Sequence, residues 1–135
     1  ISLQEGVDFV LTNFRRMQGG EIFVPKLPSI RITDLARAMA PGLPHRLVGI
    51  RPGEKLHETM CPADDSHLTL EFAEHFVIRP TIAFNLAEIN YAVDALGGTG
   101  TPVDQGFEYN SGTNTNFLDV DEITRTNRIA LEGLH

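Results

Sequence analysis

The stretch GIRPGEKLHE, residues 49–58, crowds five charged or titratable side chains, Arg51, Glu54, Lys55, His57 and Glu58, around a Pro-Gly pair. Pro52 and Gly53 fall at the two central positions of a four-residue turn. Proline presets the backbone at the first position and glycine tolerates positive φ at the second, a type II signature. Closure of such a turn brings the Cα atoms of Arg51 and Glu54 within about 7 Å. The turn follows an expected short strand, Arg46–Ile50, so a guanidinium fork and a carboxylate are presented together at a strand end. Arginine bridges phosphate oxygens bidentately, whereas a carboxylate only accepts hydrogen bonds and suits ribose or sugar hydroxyls. The plain alternative is an exposed Arg51–Glu54 ion pair that pins its own turn, worth roughly 0–1 kcal/mol. Turn chemistry alone slightly favours that alternative.

Working outward, Ser2–Met17 reads as an amphipathic helix. Ser2 and Glu5 have capping-box spacing, and Leu3, Val7, Val10, Leu11, Phe14 and Met17 recur with helical period. Gly19-Gly20 ends it, EIFV (21–24) is an expected strand, and PKLPS is an extended loop because two prolines forbid helix. A short helix over Thr33–Ala40 takes Thr33 as N-cap and stops at Pro41-Gly42. Leu56–Cys61 is extended or briefly helical, and PADDSH is a polar connection. Thr69–Phe72 and His75–Arg79 read as a hairpin, with Phe72, Phe76 and Val77 as core candidates. Residues 81–96 are ambiguous: Ile82, Leu86, Ile89, Val93 and Leu96 fit helical spacing only loosely. Residues 97–116, rich in Gly, Thr, Asn and Pro, form a long polar loop in which FEY is a possible strand. Asp119 and Glu122 repeat the capping-box spacing and open a last helix within the 118–135 region, with Leu118 and Ile123 placed as its hydrophobic staple. The expected fold class is α+β, a mixed helix-and-strand unit, taken as one partial domain over 1–135.

The chain has 135 residues and 41% hydrophobic content, enough for one core. A net charge of −7 argues against nonspecific nucleic-acid binding, which needs a basic face. No apolar run reaches membrane-spanning length, and Ile1 onward shows no charged n-region with an apolar h-region, so a signal peptide is not expected. A single cysteine, Cys61, forms no internal disulfide, which fits a reducing, cytoplasmic setting. The first residue, Ile1, is not methionine and a helix begins at once, which is read as a piece of something longer.

RPGEKLHE, together with GGEIFVPKLPS, ITDLARAMAP and GFEYNSGTN, resembles the C-terminal region of the inverting UDP-N-acetylglucosamine 4,6-dehydratases, nucleotide-sugar enzymes of the extended short-chain dehydrogenase/reductase family. The resemblance runs from the first helix to the last and is weakest over 82–103. Membrane-bound relatives share RPGEK but differ where this chain has FVPKLPS, which favours the soluble, inverting branch over retaining dehydratases. The resemblance implies a hydro-lyase that removes water from its UDP-sugar with inversion at C5. A tightly held NADP would take a hydride from C4 and return it at C6. The 4-keto-6-deoxy product would lead to pseudaminic acid and so to flagellin and surface glycans. By match to the motif, Arg51 and Glu54 would contact the UDP part of the substrate; their chemistry assigns the pyrophosphate to Arg51 and the ribose hydroxyls to Glu54. Lys55 beside them reads at least as well as a solvated surface lysine as it does as added charge near phosphate.

The same resemblance marks what this chain does not carry. Its one glycine-rich candidate, GGTGTPVD (97–104), has Val103 where a third dinucleotide-binding glycine belongs, and no clear strand before it. The family's Tyr-x-x-x-Lys is absent, since Tyr91 precedes Ala95 and Tyr109 precedes Thr113 at that spacing. The expectation is therefore a substrate-binding portion with no catalytic residue and no bound NADP of its own, and with a homo-oligomeric habit. The competing reading is a noncatalytic sugar-nucleotide-binding or oligomerisation module that uses the 2–17 helix as its interface. Lys26 is read as a surface residue and Cys61 as a small buried hydrophobe. His57 and Glu58 lack a third partner, and Asp64-Asp65 lacks calcium-loop spacing, so no metal is expected.

Overall fold

A computed structural model describes residues 1–82 and 89–132, with the side chains of 130–132 left undescribed. The chain falls into two compact units, Ile1–Leu27 with Thr59–Asn110, and Pro28–Glu58 with Ser111–His135.

In the first unit, α1 (Leu3–Arg16) starts on the expected box. Ser2 Oγ accepts from the Glu5 N–H at 3.2 Å, and Glu5 Oε2 accepts from the Ser2 N–H at 2.7 Å. The cap hydrogen bonds hold the Glu5 carboxyl below its usual range. Gly19 and Gly20, both at positive φ, turn the chain, and the Glu21 carboxylate accepts from the Gln18 and Gly19 amides to close that turn. Strand β1 (Ile22–Pro25) follows. Strands β3 (Thr69–Glu71) and β4 (His75–Ile78) form the expected hairpin, closed by the Phe72 N–H donating to the His75 carbonyl at 2.9 Å. With β5 (Thr101–Pro102) they make an antiparallel four-stranded sheet of order β1-β4-β3-β5.

Strand β4 is buried along its whole length, which explains why HFVI shows no polar alternation. Phe76 and Ile78 point to one face, where they pack with Val24 and Cys61. Val77 points to the other, with Leu70 and Phe72. Phe72, Phe76 and Val77 are thus core residues as expected. Strand β2 (Thr59–Cys61) pairs with β6 (Tyr109–Asn110), so one of the two short strands within 97–116 coincides with the FEY expectation. PADDSHL between β2 and β3 winds into a 3-10 helix, Ala63–Leu68.

His75 is the one buried titratable group of this sheet, 4% exposed. Its ring stacks on Phe72 with centroids 4.7 Å apart, and Phe23 and Phe9 flank it. Arg16 Nη1 lies 2.9 Å from Nδ1 and 3.1 Å from Nε2, while Asp94 Oδ2 is 4.0 Å from Arg16 Nε. Burial pushes the imidazole pKa down to about 4, helped by Arg16 and Lys26 and opposed by Asp94.

In the second unit, α2 (Ile32–Met39) packs against α3 (Val120–Glu132). Helix α3 opens on the expected box, each partner bonded at 2.8 Å, and buries Ile123 at 1% exposure. Two expectations are corrected here. The N-cap of α2 is Arg31, not Thr33: the Arg31 carbonyl accepts from the Leu35 N–H, and its guanidinium sits 5.1 Å over the Phe117 ring. Residues Arg46–Ile50 form no strand. Gly49 breaks the extended run at φ +78, no strand lies beside it among the described residues, and Leu47 stays 93% exposed. Of the ambiguous 81–96 stretch, Leu86 lies outside the described residues, and 89–100 is irregular chain apart from the Val93–Thr99 bridge.

Two outcomes are expected. Phe76→Ala removes the ring that contacts Phe107 and Tyr109, and should cost roughly 3–5 kcal/mol in urea unfolding. The His75 pKa is lower folded than unfolded, so the unfolded chain takes up its proton first. This contribution to stability is complete above about pH 6.5 and declines as pH falls toward about 4, by at most about 1.4 kcal/mol per pH unit. His75→Gln should flatten that part of the pH–stability curve.

Candidate functional site

The Pro52-Gly53 turn forms as the residue types require. Gly53 is at φ +86, a region L-residues avoid, and the Glu54 N–H donates to the Arg51 carbonyl at 3.1 Å. The Glu54 carboxylate folds back: Oε2 accepts from the Arg51 N–H at 2.8 Å, and Oε1 lies 3.8 Å from Arg51 Nε. Arg51 and Glu54 are therefore brought together, as the spacing indicates. Their side chains are 77% and 49% exposed, so the pair stands in water with most of the guanidinium fork uncovered. Lys55 is exposed beside them.

The chain beyond the turn is anchored by a distant segment. The Glu58 N–H donates to Ser111 Oγ at 3.0 Å, and the Ser111 N–H donates to the Glu58 carbonyl at 2.9 Å. One residue along on each side, the His57 ring lies against Gly112. A Cβ at residue 112 would fall 2.7 Å from the ring. The segment after Gly112 then reaches the PKLPS loop. Asn114 Nδ2 donates to Ser29 Oγ at 3.0 Å, the Ser29 N–H donates to the Asn116 carbonyl at 2.8 Å, and Ser29 bridges Phe117 in parallel. Three stretches far apart in sequence, Pro28-Ser29, RPGEKLHE and SGTNTNF, thus meet within one unit. Ser111 and Gly112, which hold the exit of the turn, were not among the residues the sequence singled out. No spacing or periodicity marks them, and the only signal was that GFEYNSGTN and RPGEKLHE occur in the same resemblance.

The remaining candidates are accounted for in the other unit. Lys26 bonds Glu71 at 2.7 Å and sits 5.0 Å over the Phe76 ring, a surface role as expected. Cys61 is fully buried, and burial with nearby Asp65 pushes its thiol up to about 11, which leaves a packing residue rather than a nucleophile. In GGTGTPVD, Asp94 Oδ1 accepts from the Gly98 N–H at 2.8 Å, and a Cβ at residue 98 would meet that carboxylate. A Cβ at residue 100 would run into the Phe72 ring. These glycines serve close packing, and a carboxylate stands where a phosphate would need donors. The residues present do not fit a dinucleotide cradle. Among the described residues no three His, Cys, Asp or Glu side chains converge as a metal-ligand set, and no helix is long and apolar enough to cross a membrane.

Comparison with known proteins gives three findings. The family described as polysaccharide biosynthesis protein matches residues 1–80. Two relatives named UDP-N-acetylglucosamine 4,6-dehydratase (inverting) come from Campylobacter jejuni subsp. jejuni. That of serotype O:2 is 55% identical over 84% of this chain and 34% of its own length, and that of serotype O:23/36 is 51% identical over 91% and 37%. The chain thus spans about a third of the length of the curated relatives it matches. The X-ray structure of Pen from Bacillus thuringiensis superimposes on all of this chain and 38% of its own, with a TM-score of 0.71 and 21% identity, a likeness of fold.

Because the Arg51–Glu54 pair is exposed, Arg51→Ala should shift unfolding stability by no more than about 1 kcal/mol. Thermal denaturation checks this; a larger loss would mean that the guanidinium is committed to holding the fold.

Proposed function

The chain belongs to the polysaccharide biosynthesis protein family, and on that premise we propose that it is the C-terminal, UDP-sugar-binding portion of an inverting UDP-N-acetylglucosamine 4,6-dehydratase. The observation that carries the reading is the uncovered guanidinium of Arg51, presented beside the Glu54 carboxylate on the Pro52-Gly53 turn. In this reading Arg51 binds the pyrophosphate bidentately, Glu54 accepts from the ribose hydroxyls, and Lys55 adds positive potential. Glu54 would exchange its grip on the Arg51 amide for the sugar hydroxyls, so ligand replaces an internal hydrogen bond rather than leaving a group unsatisfied.

The sequence holds no Tyr-x-x-x-Lys, and its glycine-rich run, 97–104, does not fit a dinucleotide. In this reading NADP, the base and the C4–C6 chemistry belong to the two-thirds of the relatives' length that this chain does not span. NADP would supply the transient oxidation at C4; the residues here would hold and orient the nucleotide. The pathway reading is surface-glycan synthesis through pseudaminic acid in the cytoplasm.

A second reading rests on a separate observation. Leu3, Val7, Val10, Leu11 and Phe14 of α1 form an exposed apolar stripe, the pattern of an association surface. In that reading the chain is an oligomerisation module with no activity of its own. The two readings share one expectation, self-association at high concentration, which light scattering checks: a strictly monomeric species would count against it.

Calorimetry with UDP separates the readings. We expect weak, measurable binding that disappears in Arg51→Ala. An absence of heat at millimolar UDP in the unaltered chain would favour the oligomerisation module, or a site completed only by the part of the relatives' length that this chain does not span.

A further inference from the structure

We propose that His57, Ser111 and Gly112 are positioning residues for the 51–54 turn, and that the side-chain-free face of Gly112, by letting the His57 ring lie against it, sets where the Arg51–Glu54 pair stands; this rests on the nucleotide-site reading above. The turn is held through its C-terminal side. Between Leu43, whose N–H donates to the Ala40 carbonyl, and Glu58, the hydrogen bonds among the described residues are the turn's own. The approach to the turn from 44 to 50 is irregular, exposed chain. The exit is different: the Glu58–Ser111 pair fixes the main chain, and the His57–Gly112 contact fixes the side chain three residues from Glu54.

Gly112 is not at positive φ, unlike Gly49 and Gly53, so alanine is conformationally permitted there. What alanine would meet is the ring, at 2.7 Å from both Cγ and Nδ1. His57 is exposed, so the ring has room to swing outward. Gly112→Ala should therefore cost little stability and still undo the contact. That separates positioning from folding: a purely structural glycine would show its loss in stability, and a positioning one shows it at the turn.

The test is a double-mutant cycle on the 135-residue chain, with Gly112→Ala, His57→Ala and the double variant. Three readouts are compared: the Gly53 and Glu54 amide resonances by NMR, UDP affinity, and the melting temperature. Each single variant should move the turn resonances and weaken UDP binding by up to about fivefold, the most an exposed charge pair supplies. Core resonances such as those of Leu70 and Val77 should stay in place. The double variant should be no worse than either single one, because once the ring is gone a methyl at 112 meets nothing of it. Additive effects in the double variant, or turn resonances unmoved by Gly112→Ala, would overturn the proposal. The NMR arm needs no ligand. If the unaltered chain ignores UDP while the resonances follow the cycle, the nucleotide reading fails and the positioning role stands.

Discussion

Two hydrogen bonds between Glu58 and Ser111, residues 53 apart in sequence, join the charged turn to the rest of its unit. Among the described residues, this pair carries the hydrogen bonds from RPGEKLHE to another segment of the chain. A type II turn fixes its own four residues relative to one another, but nothing in its dihedrals says where the four stand. The position comes from an amide that needs an acceptor, a hydroxyl that supplies one, and a glycine that lets an imidazole close over the join. The segment that does this, 111–112, then continues into the residues that pair with Ser29 and cap α3. One irregular strand of chain therefore holds the turn, the proline loop and the last helix in mutual register.

What was legible in the sequence follows from the range of the interactions. Both capping boxes were legible because each is a reciprocal pair of bonds across three residues. The β3–β4 hairpin was legible because its partners are neighbours, and the turn because Pro and Gly narrow the backbone to one solution. The strand expected at 46–50 failed for the opposite reason. Strand propensity states that a segment is willing to extend, whereas a strand exists only where another backbone pairs with it, and Gly49 removes even the willingness. The cap of α2 was misplaced because Thr33 is the better capping residue in isolation. Arg31, the observed cap, lies over Phe117, 86 residues away, a contact that local rules do not see.

The site shows the same division. Arg51 and Glu54 were visible because they are adjacent on the turn. Ser111 and Gly112 carry no chemical signature, since a serine and a glycine in a Gly- and Asn-rich stretch read as loop filler. Gly98 and Gly100 show the converse: a glycine run can suggest phosphate, the spacing to Val103 already argued against it, and packing against Asp94 and Phe72 is what uses the two glycines. A glycine in sequence shows only that a side chain is missing; the neighbouring atoms decide whether a phosphate, a carboxylate or a ring takes the space.

The electrostatics set how strong such a site can be. The chain carries a net charge of −7, so its mean field disfavours a diphosphate, and the attraction has to be local. A guanidinium with a 77% exposed side chain meets a phosphate under nearly full solvent screening, where a charge pair is worth at most about 1 kcal/mol. The same bidentate geometry strengthens several-fold once water is excluded from it. Strong binding at this turn therefore requires a second surface that covers Arg51 after the ligand arrives, and this exposed arrangement is what a half-site would have. On the proposed reading, the relatives' remaining two-thirds would provide that surface along with the chemistry. The nucleotide would then be buried only where both parts meet, which ties affinity for the substrate to the presence of the catalytic groups.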